Sequence, residues 1–456
     1  MRVVLDVSRL LLCVLRPAPA GIARVELAYA RHWLARSSSC TFVVQSAWGG
    51  LAAVPRGQID QLVCMIEAFW QAGPQNNHAL KAARRLVAAL HAGLLLGFGR
   101  RALRRDIARA GGGIYLLVSH LSLESPRRIA WLRRQGLAFV PMVHDLIPTT
   151  HPEYARPQQV GRHRRRITTT ASLADAVIVN STATAEALRS HLPLPGTTGQ
   201  TTPPIVVARL GLTPLRAMAP PAAPATNEPP YFVTLGTIEP RKNHLLLLNL
   251  WREMAARLGD RTPRLLVIGR RGWENENILD MLDRCTGLTG LVRETGPLPD
   301  AEVTRLLAGA RALLFPSFAE GYGLPLAEAL ALGTPAICSD LPALREVGWT
   351  VPEFLDPMDG PAWREAVLHY AQAQSPRREA QLSRLRHWRA PCWDSHFATV
   401  EAMLARLATA LPSRPPLAAE AFPWPGAARG PLLRPAGGGL MAEPALAGSV
   451  PAAPAE

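Results

Sequence analysis

Two glutamates flank a glycine-rich turn in the second half of the chain. Glu320 precedes the residues GYGLPLA, and Glu328 follows them. Pro325 suits a first helical turn because its missing N–H needs no partner there, so a helix is predicted from about Leu324 to Leu332. The free N–H groups of such a helix start can hold an anion such as a phosphate. Carboxylates repel phosphate, and we therefore expect both glutamates to contact hydroxyl groups of a ligand.

Two adjacent cations occur earlier in the chain, in the segment GTIEPRKN. Arg241 and Lys242 follow a predicted strand, Tyr231 to Thr237, and precede a helix predicted to begin near Asn243. Open α/β sheets bind ligands at the carboxyl ends of their strands, where two cations suit a diphosphate. The alternative is a solvated basic pair. Together with the anion-binding helix start and the two carboxylates, these cations predict a nucleotide-diphospho-sugar as the ligand.

The segment from Glu320 to Glu328 resembles the E-x7-E signature of retaining glycosyltransferases of family 4, and GTIEPRKN strengthens the resemblance. It covers roughly residues 1 to 400. The resemblance implies the GT-B fold, in which two Rossmann-like, doubly wound α/β domains face each other across a cleft. It also implies that His144, in the segment HDLIP, contacts the donor sugar. By the same resemblance Gly21 lies beneath the diphosphate, although it also fits a simple turn at a helix start.

The predicted site therefore divides into two groups. The catalytic group is His144, Arg241, Lys242 and Glu320, and the donor-binding group is Gly21, Gly236, Gly323, Leu324 and Glu328. Glu320 is expected to hold sugar hydroxyls and Glu328 the ribose hydroxyls. No DxD motif is present, so neither a metal site nor a cofactor is expected, and the nucleotide-sugar enters only as donor substrate.

The resemblance implies transfer of a hexose in polysaccharide biosynthesis, with mannose from GDP-mannose as the first candidate. The implied acceptor is a glycan or a polyprenyl-linked saccharide. The alternative is a protein of the same fold that binds a nucleotide-sugar or a glycan without turnover. A Rossmann-type dehydrogenase is disfavoured because no GxGxxG follows the predicted strands around Leu5, Val233 or Val267. No nucleic-acid partner is expected.

Alternating strand and helix patterns divide the 456 residues into two α/β domains with additional segments. The expected order is a first, acceptor-side domain over residues 1–212 and a proline-rich linker over 213–230. A nucleotide-sugar-binding domain over 231–394 and a helix over 395–411 follow. Residues 412–456 are rich in Ala, Pro and Gly and are expected to be disordered.

The chain carries a net charge of +15, and arginine supplies nearly all of its cations. Residues 80–106 combine an apolar centre, Leu86 to Phe98, with basic residues on both sides, which predicts a helix lying in a membrane interface. A buried helix with solvated ends is the alternative. A second basic cluster, around Arg164, either adds to this surface or is a solvated helix face. We expect a cytoplasmic protein, either free or peripheral on the anionic inner face of the cell membrane.

Overall fold

The computed structural model describes residues 2–14, 21–36, 39–45, 50–73, 77–192, 202–212 and 230–410. The expected disordered tail at 412–456, and all of the expected linker except Pro230, lie outside these residues. The strands are β1 (Val3–Asp6), β2 (Cys40–Gln45), β3 (Leu51–Val54), β4 (Gly113–Leu117), β5 (Leu137–Val143), β6 (Val177–Val179), β7 (Ile205–Val207), β8 (Tyr231–Leu235), β9 (Arg264–Ile268), β10 (Val292–Gly296), β11 (Leu313–Phe315), β12 (Ala336–Ser339) and β13 (Glu353–Leu355).

The α-helices connect these strands and cover the sheets. They are α1 (Ser8–Cys13), α2 (Gly21–Ala35), α3 (Arg56–Ala72), α4 (Asn77–Leu95), α5 (Arg100–Ala110), α6 (Pro126–Arg134), α7 (Ile147–Thr150), α8 (Pro157–Leu173), α9 (Thr182–Arg189), α10 (His244–Leu258), α11 (Glu276–Arg284), α12 (Asp300–Ala308), α13 (Leu324–Ala331), α14 (Pro342–Gly348), α15 (Gly360–Ala371), α16 (Pro376–Leu385) and α17 (Trp393–Ala410). Short 3₁₀ turns occupy Pro152–Tyr154, Pro240–Lys242, Gly259–Arg261 and Thr286–Leu288.

The first sheet has the strand order β3-β2-β1-β4-β5-β6-β7, and only β2 and β3 pair antiparallel. Its central strands are buried on both faces, which explains their near-continuous apolar sequences. In β1, Leu5 belongs to one buried cluster and Val4 to another, because successive side chains of a strand point to opposite faces. Helices therefore cover both faces of this sheet.

The second sheet is parallel throughout, with the order β10-β9-β8-β11-β12-β13. Its strands also alternate between two cores, as Phe232 and Val233 of β8 show. In both sheets the strand order reverses beside the first strand of the domain, which is typical of doubly wound folds. The predicted pair of Rossmann-like α/β domains is confirmed.

The last described helix, α17, packs on the first domain. The Tyr29 hydroxyl lies 2.8 Å from His396 Nε2, and His396 Nδ1 lies 3.0 Å from the carbonyl oxygen of Arg209. A carbonyl only accepts, so Nδ1 carries the proton and Nε2 accepts from Tyr29. Burial lowers the pKa of His396 to about 4, which keeps this ring neutral. Phe397 stacks on His32 with 3.5 Å between ring centroids.

The prediction of one continuous helix over residues 80–106 is wrong. Helix α4 ends at Leu95, α5 begins at Arg100, and the two axes are bent by 78°. Gly97 and Gly99 both have φ near +81°, a conformation that residues with a Cβ rarely adopt, so the helix is interrupted over residues 96–99. No single described helix is long and apolar enough to cross a bilayer. We call the exposed side chains at this break the apolar corner: Leu95, Leu96 and Phe98.

Candidate active site

A cavity of about 380 Å³ lies between the two domains and receives side chains from both. The volume is in the range of small-molecule sites. The residues predicted from the sequence to form the site all line this cavity: Gly21, His144, Gly236, Arg241, Lys242, Glu320, Gly323, Leu324 and Glu328. Their positions are therefore mutually consistent, and their individual roles stay predictions.

Glu320 lies at the centre of a buried ion cluster in this cavity. Its Oε1 is 2.6 Å from Lys242 Nζ and 2.8 Å from Arg241 Nη1. Arg241 also reaches Glu239, with 2.7 Å between Nη2 and Oε1. The Lys242 ammonium lies 4.3 Å from the ring centroid of Phe315, which adds a cation–π contact. Because these side chains hold one another in place, the two cations are oriented before any ligand arrives.

The backbone between β8 and α10 places these cations. The 3₁₀ turn Pro240–Lys242 follows β8, and Asn243, with φ of +54°, redirects the chain into α10. The Lys242 side chain then lies over Gly236, where an added Cβ would come within 3.3 Å of Lys242 Cε. Gly236 has φ of +148°, so a side chain there would be strained as well as crowded.

The pKa shifts in this cluster follow from burial and from the excess of cations around Glu320. Burial alone raises the pKa of Glu320, but Arg241 and Lys242 outweigh it and lower that pKa to about 2. For Lys242, burial is the largest effect and lowers the pKa, the Arg241 charge adds to the lowering, and Glu320 offsets them only in part. An additional anion beside Lys242 would therefore stabilise its charged form.

Two helix starts meet at the same place. Helix α13 begins after Gly323, whose φ of +103° allows the turn, and α2 begins at Gly21. A Cβ added to Gly21 would lie 3.5 Å from Leu324 Cδ1, so the two starts approach each other across the cavity. Their free N–H groups provide a favourable environment for an anion. Glu328 lies one turn further along α13, and burial raises the pKa of its carboxyl.

His144 follows β5 and presents a neutral ring. Its Nε2 lies 2.8 Å from the carbonyl oxygen of Val118, so Nε2 carries the proton and donates. Burial lowers the pKa of His144, which favours the neutral form. Nδ1 of this tautomer has a lone pair and can accept a hydrogen bond from a hydroxyl group.

The turn before α13 also forms a close approach between the domains. A Cβ at Gly321 would lie 2.4 Å from the carbonyl oxygen of His144, so only glycine fits. The Ser181 hydroxyl lies 2.8 Å from the Gly321 carbonyl oxygen, to which it can donate. Glu346 of the second domain accepts from the backbone N–H groups of Thr182 and Ala183, at 2.8 and 2.7 Å, and so caps helix α9 of the first domain.

The sequence predictions missed a second connection across the cleft. Arg24 of α2 and Asp300 of α12 form a two-bond ion pair, at 2.9 and 2.5 Å, and both side chains line the cavity. Their positions in the sequence give only a weak indication that they line the cavity. Arg24 follows Gly21 by one helical turn, and Asp300 begins a helix after β10. Nothing in the sequence joins two residues 276 positions apart.

Glu26 is a buried carboxyl beneath the first-domain side of the cleft. Its Oε1 accepts from the backbone N–H of Leu10 at 2.9 Å, and Oε2 is buried without a hydrogen-bond partner. Burial is the largest cause, and the nearby Asp6 carboxylate the second, that raises the pKa of Glu26 to about 8. The folded protein therefore keeps a proton on Glu26 at pH 7, which the unfolded chain releases above its ordinary pKa of about 4.5.

We expect this proton to make stability depend on pH. Folded-state stability should fall as pH rises from about 4.5 to about 8, by up to about 1.4 kcal/mol per pH unit, and level off above that range. Glu26→Gln keeps the shape and removes the titration. Thermal unfolding should show the variant no more stable than the wild type near pH 5 and several degrees more stable above pH 8. Parallel profiles of the two proteins would contradict the assignment.

Residues 229–372 match the family model described as glycosyl transferases group 1. Over 165 residues the chain is 34% identical to the O-antigen chain mannosyltransferase B of Escherichia coli; the match covers 36% of this chain and 43% of that relative. The chain thus spans less than half the length of this curated relative.

Two solved structures resemble nearly the whole chain. Anabaena HepE, in complex with UDP and glucose, superposes with a TM-score of 0.56 at 12% identity, covering 89% of this chain and 100% of HepE. Sucrose-phosphate synthase of Thermosynechococcus elongatus superposes with a TM-score of 0.55 at 16% identity. The match covers 90% of this chain and 100% of the synthase. Identities this low show the fold alone. The chain therefore has the GT-B fold, with a group 1 glycosyltransferase match over residues 229–372 of its second domain.

Proposed function

We propose that the protein is a retaining, metal-independent glycosyltransferase of family 4. It would transfer a hexose from a nucleotide-diphospho-sugar to a glycan or polyprenyl-linked saccharide during polysaccharide assembly. The observation that carries this proposal is the buried cluster of Glu320 with two cations beside two helix starts in one interdomain cavity. The relative named as an O-antigen mannosyltransferase supports mannose, and GDP-mannose is the first donor to test.

In the proposed complex the diphosphate lies between the helix starts at Gly21 and Leu324, within reach of Arg241 and Lys242. Negative charge grows on the leaving phosphate as its bond to the sugar breaks. Cations and N–H groups that are already oriented stabilise that charge without reorganising. This assigns to side chains the task that a divalent metal performs in other sites.

Glu320 has two successive tasks in this proposal. Without donor it holds Lys242 and Arg241 in place, which prevents two buried cations from repelling each other. When the diphosphate binds Lys242 and Arg241, it replaces part of their contact with Glu320. Lone pairs of the Glu320 carboxylate then become available to accept hydrogen bonds from sugar hydroxyls. His144 Nδ1 accepts a further sugar hydroxyl, and Glu328 accepts the ribose hydroxyls.

Retention of configuration requires the acceptor oxygen to attack the face that the phosphate leaves. We propose that the acceptor hydroxyl gives its proton to the departing phosphate oxygen while the new C–O bond forms on that same face. The bond between sugar and phosphate breaks with its electron pair going to the phosphate. No protein nucleophile is needed for this step.

The test is donor turnover by the full chain. We expect GDP to be released from GDP-mannose faster than in a protein-free control, and EDTA should leave the rate within about twofold. Chromatography measures GDP, and NMR of the product with a mannose-terminated acceptor should show the α-anomer. Loss of activity on chelation, restored by Mn²⁺ or Mg²⁺, would refute metal independence. Tight binding without turnover of any donor would favour a binding protein.

A further inference from the structure

We propose that the first domain docks on an anionic lipid surface through the apolar corner, flanked by the basic arms of α4 and α5. The apolar corner would enter the acyl boundary, and the arginines would meet the headgroups. This inference concerns where the protein lies, and it holds whether or not the cleft transfers a sugar.

The apolar corner concentrates exposed apolar surface in four consecutive positions. Leu95 is 55% exposed, Leu96 74% and Phe98 68%, and they account for three of the six large apolar side chains found exposed in the described part of the chain. Exposing such side chains to water is unfavourable, and their grouping marks an interaction surface. Phe98 and two leucines suit the boundary between headgroups and acyl chains.

Three N–H groups at the bend, those of Leu96, Gly97 and Phe98, are already hydrogen-bonded, which lowers the cost of removing them from water. Three N–H groups donate within the corner, and the carbonyl of Gly99 accepts from β3. The bonds are Leu96 N to Ala92 O at 3.1 Å, Gly97 N to Leu94 O at 3.1 Å, Phe98 N to Gly93 O at 2.9 Å and Ala53 N to Gly99 O at 3.2 Å. These four backbone groups therefore need no new partner when the corner leaves water.

The charges around the apolar corner have one sign. Residues 77–105 contain no Asp or Glu. Their seven Lys and Arg side chains lie on both arms of the bend: Lys81, Arg84, Arg85, Arg100, Arg101, Arg104 and Arg105. Six of these seven residues are exposed to solvent, and Arg100 is partly exposed. An anionic leaflet attracts such a cluster, whereas a neutral surface does not. This charge is what selects a lipid surface as the partner.

The helices themselves stay attached to the domain. Val87 and Leu94 of α4, and Leu103 and Ile107 of α5, are buried in the protein. Because these buried side chains hold both arms of the 78° bend on the domain, we place the segment at the surface of the bilayer and not across it. Helix α4 packs along α3, and the Gly99 carbonyl oxygen accepts from Ala53 N of β3, so the apolar corner lies beside the edge strand of the first sheet.

The test uses the full chain and vesicles of phosphatidylcholine with or without phosphatidylglycerol. We expect co-sedimentation with the anionic vesicles only, and release in 1 M NaCl. Leu95→Ser/Leu96→Ser/Phe98→Ser should lower the vesicle partition coefficient by roughly 100-fold, because three apolar side chains are lost. Arg101→Glu/Arg105→Glu should lower it at least tenfold. The thermal unfolding midpoint of both variants should stay near that of the wild type, since these side chains are exposed.

Met358 provides a matched control, because it is 75% exposed in the second domain, as Leu96 is 74% exposed in the first. Met358→Ser should leave the partition coefficient unchanged, while Leu96→Ser lowers it several-fold. Equal binding by the triple variant and the wild type, or no binding by the wild type, would overturn the proposal. So would a wild-type dimer that the triple variant converts to a monomer, because a second copy would then cover the apolar corner.

Discussion

Replacing Lys242 with alanine is expected to lower turnover about 10²- to 10³-fold while the protein stays folded. The ammonium lies 2.6 Å from Glu320 and, in the proposed complex, beside the departing diphosphate. Its contact strengthens as charge develops, so its loss costs more in the transition state than in the ground state. Arg241 still pairs with Glu320 in the variant, which limits the effect on stability. Steady-state kinetics at saturating donor measures the change in kcat.

Lysine is rare in this chain, which offers a simple control. Lys81 and Lys242 are the only lysines in the sequence, and Lys81 is exposed on α4. Lys81→Ala should leave the kcat of GDP release in membrane-free solution unchanged, because Lys81 belongs to the proposed docking surface and does not line the cavity. Lys242→Arg keeps the charge but lacks the point-like ammonium, and we expect it to recover part of the lost rate. Near wild-type kcat in Lys242→Ala would remove this residue from the mechanism.

Glu320→Gln is expected to lower kcat about 10²-fold with little change in affinity for the nucleoside diphosphate. The amide cannot neutralise two buried cations, so their orientation relaxes, and it replaces a charged acceptor for sugar hydroxyls with a weaker one. Glu328→Gln should act differently, because we place Glu328 at the ribose. The affinity for GDP should fall about tenfold, and kcat should fall much less. Calorimetry with GDP and steady-state kinetics separate the two effects.

The two glutamates serve as each other's control, since both are partly buried carboxyls of the same segment. Circular dichroism should show both variants folded. Equal losses of GDP affinity in the two variants would contradict the assignment of different ends of the donor. An unchanged kcat in Glu320→Gln would do so as well.

Local patterns predicted those parts of the fold that short segments determine. The helix after Gly323 begins at Leu324 and ends at Ala331, one residue before the predicted end, because Pro325 and the glycines specify the turn within ten residues. The alternation of strands and helices likewise predicted two doubly wound sheets. Each of these features depends on neighbours in sequence, and a single chain displays them directly.

Features that depend on distant residues were not predictable in this way. The ion pair of Arg24 with Asp300 and the capping of α9 by Glu346 require the two domains to be positioned first. The break between α4 and α5 was missed for a different reason. Helical periodicity tolerates single glycines, and only the pairing of Gly99 with Ala53 on the edge strand shows that Gly97 and Gly99 end the helix.

The return of α17 to the first domain affects the order in which the chain can fold during synthesis. Tyr29 and His32 belong to the first tenth of the chain, yet their partners His396 and Phe397 are made almost 370 residues later. At ordinary elongation rates of about 5–20 residues per second, this separation means a delay of tens of seconds. Tyr29 and His32 of α2 lack these partners on the ribosome for that time, so completion of the first domain waits for the second.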